Sequence, residues 1–228
     1  MQTAKINKSK QELLLALNNS LKPTNGLKTG QWREKRSEET KRAVMEATVN
    51  CLFEFGYANT TTQSVSDMTG LSRSAMIYHY PSRIDLISAA IDFIFLRMME
   101  MVHQGVETIK ATGTLTEENA HYLHRDVVKS REYVAYIELN IAARTDESLR
   151  QHFDSKAIAF DMLWQEKMSD LLGDLTGQKT DNVLAWDFAR AVMEGMRINE
   201  RILTNKDRRN ALHQLVIQVM EAMDAKKL

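Results

Sequence analysis

The stretch TGLSRSAMIYHYPSR, residues 69–83, holds the signals of one short helix with a turn before it and a break after it. Gly70 can adopt the positive φ that closes a preceding helix, and Ser72 is a favoured N-cap for the helix that follows. Pro81 disfavours helical backbone at Tyr80, so the helix ends there. A helix of about two turns is not stable alone, and this one must therefore pack against neighbouring helices.

Helix signals flank this stretch on both sides. Ser37 predicts the N-cap of a first helix that stops at Gly56, and Thr61 precedes the short second helix TQSVSDMT. Ser82 and Asp85 form a capping-box pattern that begins a long fourth helix. The order predicts a three-helix unit in which the second and third helices form a helix-turn-helix.

The short third helix has two unlike sides at 100° per residue. Its predicted inner side carries Met76, Ile77 and Tyr80. Its predicted outer side carries Ser74, Ala75 and Tyr78, with His79 at the flank. Arg73 stands at the N-terminal end, where it is long enough to reach a base edge or a phosphate. Small and polar side chains on an exposed helix suit the DNA major groove.

Residues 40–91 resemble the DNA-binding domain of the TetR family of bacterial transcriptional regulators. The order and spacing of the matching residues carry the resemblance: Ala47, Leu52, Phe53, Gly56, Tyr57, Thr60, Thr61, Gly70, Leu71, Ser72, His79, Tyr80, Ser82, Arg83 and Leu86. The chain departs from the family pattern at Ile77, where the family most often has tyrosine. The resemblance covers under a third of the chain.

The resemblance implies DNA contacts at defined positions. Backbone and base contacts at the start of the second helix are expected from Thr61 and Gln63. Base contacts are expected from Arg73, Ser74, Ala75 and Tyr78, and phosphate contacts from His79 and Arg83. It also implies a repressor that binds a palindromic double-stranded DNA operator as a homodimer and is released by a small-molecule effector. No catalytic residue, metal or cofactor is expected.

Residues 84–228 are predicted to form a larger helical domain for effector binding and dimerisation, after the DNA-binding domain at 37–83. The fold class is therefore all-α. An effector pocket is predicted from Met98, Met101, Tyr122, Tyr133, Phe160 and Trp164. The helices at 181–203 and 207–226 have wide apolar faces that suit a dimer interface, with Leu184, Phe188, Val192, Leu212, Val216 and Val219 as its predicted residues.

Residues 1–36 are predicted to be a poorly ordered, flexible extension. They hold eight Lys and Arg against two Glu, a net charge of +6, which suggests a polyanion partner such as DNA. The single cysteine excludes an intrachain disulfide, and no apolar run is long enough for a membrane span. These features predict a cytoplasmic protein.

Two alternatives come from other function classes. Two Glu-x-x-His patterns, Glu100 with His103 and Glu118 with His121, are spaced as in di-iron helix bundles and would fit a helical metal-binding enzyme. The second alternative is a DNA-binding protein that responds to no ligand.

Overall fold

A computed structural model of the protein describes residues 2–21, 32–112, 125–176 and 183–224. Those residues are helical with short connections and contain no strand, so the predicted all-α class is confirmed. The helices are α1 (Gln2–Ser20), α2 (Trp32–Asn59), α3 (Thr62–Thr69), α4 (Arg73–His79), α5 (Arg83–Thr112), α6 (Arg131–Ala143), α7 (Glu147–Thr176), α8 (Val183–Ile198) and α9 (Lys206–Asp224). Residues 125–129 are also helical.

The first part of the chain differs from the poorly ordered extension that its sequence predicts. Residues 2–20 form α1, and its Leu13 and Leu17 are buried. Leucines four residues apart lie on one side of a helix, so packing of this pair holds α1 in place. The helix breakers Pro23 and Gly26 follow Ser20 in the chain and cannot interrupt α1.

The first helix of the DNA-binding domain also begins earlier than predicted. Ser37 lies inside α2, which starts at Trp32, so the predicted cap is wrong. Arg, Glu and Lys between Trp32 and Ser37 favour helix strongly enough to carry it through the serine. Gly56 does interrupt the helix as predicted, with φ of 76° and ψ of 172°, before a last turn that ends at Asn59.

Local hydrogen bonds hold the ends of α3 and α4. Thr61 accepts a bond from the Ser64 backbone N–H, and the Ser64 hydroxyl accepts one from the Thr61 N–H in return. Gly70 then ends α3 with a φ of 68°, and Ser72 caps α4 by accepting a bond from Ala75. These capping interactions fix where α3 ends and α4 begins, and so fix the turn between them.

The two short helices are anchored on one apolar core. The core residues come from α2 to α5 and are Val44, Met45, Ala47, Cys51, Val65, Met76, Tyr80, Leu86 and Ala90. α3 and α4 contribute only Val65, Met76 and the adjoining Tyr80 to it. Most of their remaining surface is left for other contacts.

The chain divides into two compact units. One contains Met1–Met99 and Arg131–Asp161, and the other contains Glu100–Ser130 and Met162–Leu228. In the first unit α2 packs along α6, and in the second unit α8 packs along α9. This grouping by compactness differs from the functional boundaries predicted at residues 36 and 83, which stay a prediction.

Candidate nucleic-acid interface

One side of α4 is exposed at the surface of the helix-turn-helix. Tyr78 is 83% exposed and Arg73 and Ser74 are exposed, whereas Met76 is 1% exposed. Ala75 is half-buried. The outward direction predicted for Tyr78 and Ser74 therefore agrees with the structure, and Arg73 also lies at the surface.

The predicted inner position of Ile77 is wrong, because its side chain is 47% exposed. Met76 and Tyr80 are four residues apart and nearly eclipse each other on the helix, so together they occupy the narrow buried side of a two-turn helix. Ile77 follows Met76 by 100° and falls at the edge of that side. Its exposure adds an apolar side chain to the surface that α4 presents.

The start of α3 lies at the surface as well. The Thr61 hydroxyl is engaged as the N-cap acceptor, and both Thr61 and Gln63 are exposed. Gln63 Nε2 donates to Asp67 Oδ1 over 2.6 Å along the same helix. That bond orients the Gln63 amide.

His79 closes the last turn of α4 and is half-buried. Its ring meets the Tyr78 ring edge to face, with the centroids 5.1 Å apart. This contact restricts the exposed tyrosine, because an aromatic pair of this geometry favours one relative orientation.

Arg83 is tied to the end of α2. Its Nε donates to the Thr60 carbonyl oxygen over 2.7 Å, and its Nη2 donates to the Tyr57 carbonyl oxygen. The guanidinium carbon lies 4.1 Å from the centroid of the Tyr57 ring. Arg83 thus joins the first residue of α5 to the turn before α3. Its predicted phosphate contact stays a prediction.

A polar network that the sequence does not signal extends from this turn to α6 and α7. The Tyr57 hydroxyl donates to Asp146 Oδ2 over 2.8 Å, and the Tyr57 N–H donates to Glu138 Oε2 over 3.5 Å. Asp146 also accepts from the Leu149 N–H at the start of α7. Partners 81 and 89 residues apart leave no local pattern that sequence analysis could use.

Charge and burial in this network are visible in two pKa shifts. Burial raises the pKa of the Tyr57 hydroxyl, and its hydrogen bond to Asp146 raises it further. The Leu149 backbone N–H lowers the pKa of the Asp146 carboxyl, and the Tyr57 hydroxyl adds to that effect. At neutral pH the tyrosine is the donor and the aspartate the charged acceptor.

The residues predicted for an effector pocket fall in both compact units. Met98, Tyr133 and Phe160 are buried in the first unit, where the Phe160 ring stacks on that of Phe95 with centroids 5.0 Å apart. In the second unit Trp164 is buried and Met101 half-buried. Tyr122 lies outside the described residues. The pocket assignment stays a prediction.

Among the residues that the structure describes, no group of three or more His, Cys, Asp or Glu is placed to hold a metal ion. Glu118 and His121 of the second Glu-x-x-His pattern lie outside that part of the chain. Within the same described residues, no helix combines the length and the apolar character needed to cross a membrane.

Several known proteins that are similar to this chain are transcriptional regulators. Residues 44–90 match the model of the bacterial regulatory proteins of the tetR family. An uncharacterized HTH-type transcriptional regulator of Mycobacterium tuberculosis is 27% identical over 119 residues, 52% of this chain and 60% of that protein. The HTH-type transcriptional regulator CymR of Pseudomonas putida is 23% identical over 120 residues, 51% of this chain and 57% of CymR. The chain thus matches about 60% of the length of these curated relatives.

Similarity of fold extends further along the chain. The crystal structure of a TetR transcription regulator from Haloarcula marismortui superposes with a TM-score of 0.60 and 22% identity, covering 81% of this chain and 98% of that one. The matched segment at 44–90 contains the caps, the turn at Gly70 and the buried Met76 that build the exposed α4. Residues 44–90 thus carry the helix-turn-helix segment of the tetR family of bacterial regulatory proteins, and the fold is that of a TetR transcription regulator.

Proposed function

We propose that this protein is a cytoplasmic transcriptional repressor that binds a palindromic operator as a homodimer and leaves it when a small molecule binds. The observation that carries the proposal is the outer side of α4, where Arg73, Ser74 and the 83% exposed Tyr78 project from a helix anchored through Met76. A recognition helix needs this combination, because base contacts require side chains whose backbone is held in register.

The exposed residues suggest which side chains contact bases and which contact phosphates. Arg73 can form two hydrogen bonds to a guanine edge, and Tyr78 offers a ring for apolar contact and a hydroxyl for hydrogen bonding. We expect Thr61 and Gln63, exposed at the start of α3, to contact the DNA backbone. The basic residues Arg33, Lys35 and Arg36 are further candidates for phosphate contacts; Arg36 is exposed near the start of α2, and the side chains of the other two lie outside the described part.

The dimer proposal is supported by apolar surface on α8 and α9. Leu184 is 68% exposed. Leu215 of α9 is not among the residues predicted for the dimer interface, and it is 51% exposed. Half-buried members of the predicted surface are Phe188, Val192, Leu212 and Val219. Val216 is 1% exposed in the single chain and belongs to the core of its unit. A symmetric partner would cover the exposed leucines, and α8 and α9 of both protomers would then pack together.

Ligand release requires that the effector bind one arrangement of the protomers more tightly than another. Two recognition helices in a dimer fit successive major grooves only at one spacing, about 34 to 36 Å along the DNA. A ligand that favours a different spacing lowers operator affinity by its differential binding energy.

The first test is selection of bound duplexes from a pool of randomised double-stranded DNA with the full-length protein. We expect enrichment of an inverted repeat whose two half-sites are centred about 10 base pairs, or a multiple of a helical turn, apart. Enrichment of a single half-site without symmetry would contradict dimeric operator binding. A pool without any enriched sequence would contradict sequence recognition itself.

A second prediction concerns the dimer surface. The Leu184→Glu variant should dissociate into monomers. The introduced glutamate would place a charge in a symmetric apolar interface, where it would also lie close to the same glutamate of the partner protomer. Sedimentation velocity at micromolar concentration is the measurement. The control is Leu15→Glu, which introduces the same charge at a leucine of α1 that is 62% exposed, and this variant should remain dimeric. A wild-type protein that sediments as a monomer would refute the dimer.

A further inference from the structure

A cavity of about 310 Å³ lies in the second compact unit. Its wall comes from residues 125–129, the C-terminal part of α8 with the loop after it, and the N-terminal part of α9. Of the residues predicted from sequence for the effector pocket, those that the structure describes do not line it. Five cationic side chains do: Arg125, Lys129, Arg197, Lys206 and Arg209.

Among the described residues of the cavity wall, cations outnumber carboxylates. Glu200, a carboxylate in the wall, forms an ion pair with Arg197, and Asp126 contacts Arg125 over 3.3 Å. Counted over the described wall residues together with Asp126, five cations less these two carboxylates leave three positive charges. Like charges held around one cavity repel each other, and a bound anion would relieve that repulsion.

His213 reports the same positive potential. Burial lowers the pKa of this wall residue, and the charges of Lys129, Arg125 and Arg209 lower it further. The imidazole is therefore neutral at pH 7 and can serve as a hydrogen-bonding group in the cavity.

Part of the wall is apolar. Val128 and Met193 are each 3% exposed, and Met196 is half-buried beside them in the lining. Methionine side chains adapt their shape to irregular ligands. One cavity thus combines cationic groups with an apolar surface, the combination that binds an organic anion rather than a bare inorganic one.

Arg209 is held in position before any ligand arrives. Its Nη1 donates to the Leu203 carbonyl oxygen over 2.6 Å, which fixes the plane of the guanidinium. A fixed guanidinium loses little conformational freedom when it binds a carboxylate through its remaining N–H groups.

We propose that this cavity is the effector site and that its ligand is a small organic anion, a carboxylate attached to an aromatic or short aliphatic group. This rests on the ligand-responsive repressor proposed above. The wall is built from α8 and α9, the helices that carry the proposed dimer surface. Occupation of the cavity can therefore alter the relative positions of those helices and so the arrangement of the protomers.

The binding test uses 2-naphthoate as the probe, in isothermal titration calorimetry with the full-length protein. Its uncharged counterpart 2-naphthalenemethanol has the same rings without the carboxylate, and inorganic phosphate has the charge without the rings. We expect 2-naphthoate to bind at least about tenfold more tightly than either, since a charge-assisted hydrogen bond of about 1.5 kcal/mol corresponds to that factor. Equal affinity for the alcohol, or no binding of the naphthoate, would overturn the proposal.

Variants of the wall locate the binding. Arg209→Gln and Lys129→Gln should each weaken 2-naphthoate binding by about tenfold, and Arg208→Gln should not. Arg208 is the matched control, because it adjoins Arg209 in α9 and is exposed without lining the cavity. Arg209→Gln can impair folding, because it loses the bond to the Leu203 carbonyl. Lys129 is exposed, so Lys129→Gln should fold normally and still tests anion binding. Wild-type affinity in both wall variants would place the anion elsewhere and overturn the proposal.

Operator release separates this inference from the proposed function. If 2-naphthoate binds as expected and displaces the selected operator duplex from the wild type but not from Lys129→Gln, both stand. If it binds the cavity and leaves the protein on the operator, the cavity is an anion site but not the effector site, and the proposal of an anionic effector fails. If only uncharged or cationic compounds release the operator, the ligand-responsive function stands and the anionic effector is overturned.

Discussion

The double variant Arg73→Ala with Tyr78→Ala is expected to lose about 2 kcal/mol or more of operator binding, at least about 30-fold in affinity. Both side chains are exposed on α4, and each base contact is worth about 1 to 3 kcal/mol. Fluorescence anisotropy with the selected duplex, at one fixed salt concentration, measures the change. Binding to unrelated duplexes should change less, because phosphate contacts dominate nonspecific affinity.

Two controls separate recognition from charge and from folding. Arg144→Ala removes an arginine that is also exposed, from the turn between α6 and α7, and it should leave operator affinity within about twofold of the wild type. Tyr78→Phe keeps the ring that contacts His79 and removes only the hydroxyl. An unchanged affinity in the Arg73 and Tyr78 double variant, with normal thermal unfolding, would show that α4 is not the recognition helix.

Loss of the Arg83 side chain should destabilise the fold strongly. The Arg83→Ala variant is expected to lower the free energy of unfolding by about 2 to 4 kcal/mol. Two charge-assisted hydrogen bonds to the Thr60 and Tyr57 carbonyls would be lost, together with the contact on the Tyr57 ring. Removal of the guanidinium also takes away the donor to the Thr60 carbonyl, whereas the Tyr57 carbonyl still accepts from the Thr60 N–H. Urea denaturation followed by circular dichroism measures the change.

Arg73→Ala is the matched control for this effect. It removes the same side chain from an exposed position on the neighbouring helix and should change stability by about 0.5 kcal/mol or less. Arg83→Lys should recover only part of the loss, since an ammonium group cannot stack on Tyr57 and donate in the same fork geometry. Equal stability of wild type and Arg83→Ala would show that the observed bonds contribute nothing net.

The helix-turn-helix could be predicted from sequence because its signals are local. Capping by Thr61 and Ser72, the positive φ at Gly70 and the stop before Pro81 depend on residues within four positions of each other. Local hydrogen bonds and steric limits act the same way in any surroundings, so their residue types carry the information.

Local sequence patterns did not predict which of several similar residues is buried, because tertiary packing decides this. Ile77 and Tyr80 are both apolar enough for the core, and the two-turn length of α4 left room for only one of them beside Met76. α1 is stabilised by burial of Leu13 and Leu17. No signal within residues 1–20 indicates that these leucines are buried. Tertiary packing routinely overrides propensity in this way.

The sequence by itself determined the all-α class, the position of the short helix α4 and the outward direction of Tyr78, because each depends on interactions within a few residues. Only the tertiary structure decided that Arg83 bonds to the end of α2, that Tyr57 meets Asp146 from 89 residues away, and that the cations of 125–129, α8 and α9 surround one cavity. Those contacts join residues far apart in the chain. Their geometry exists only after hydrophobic burial has brought the helices together.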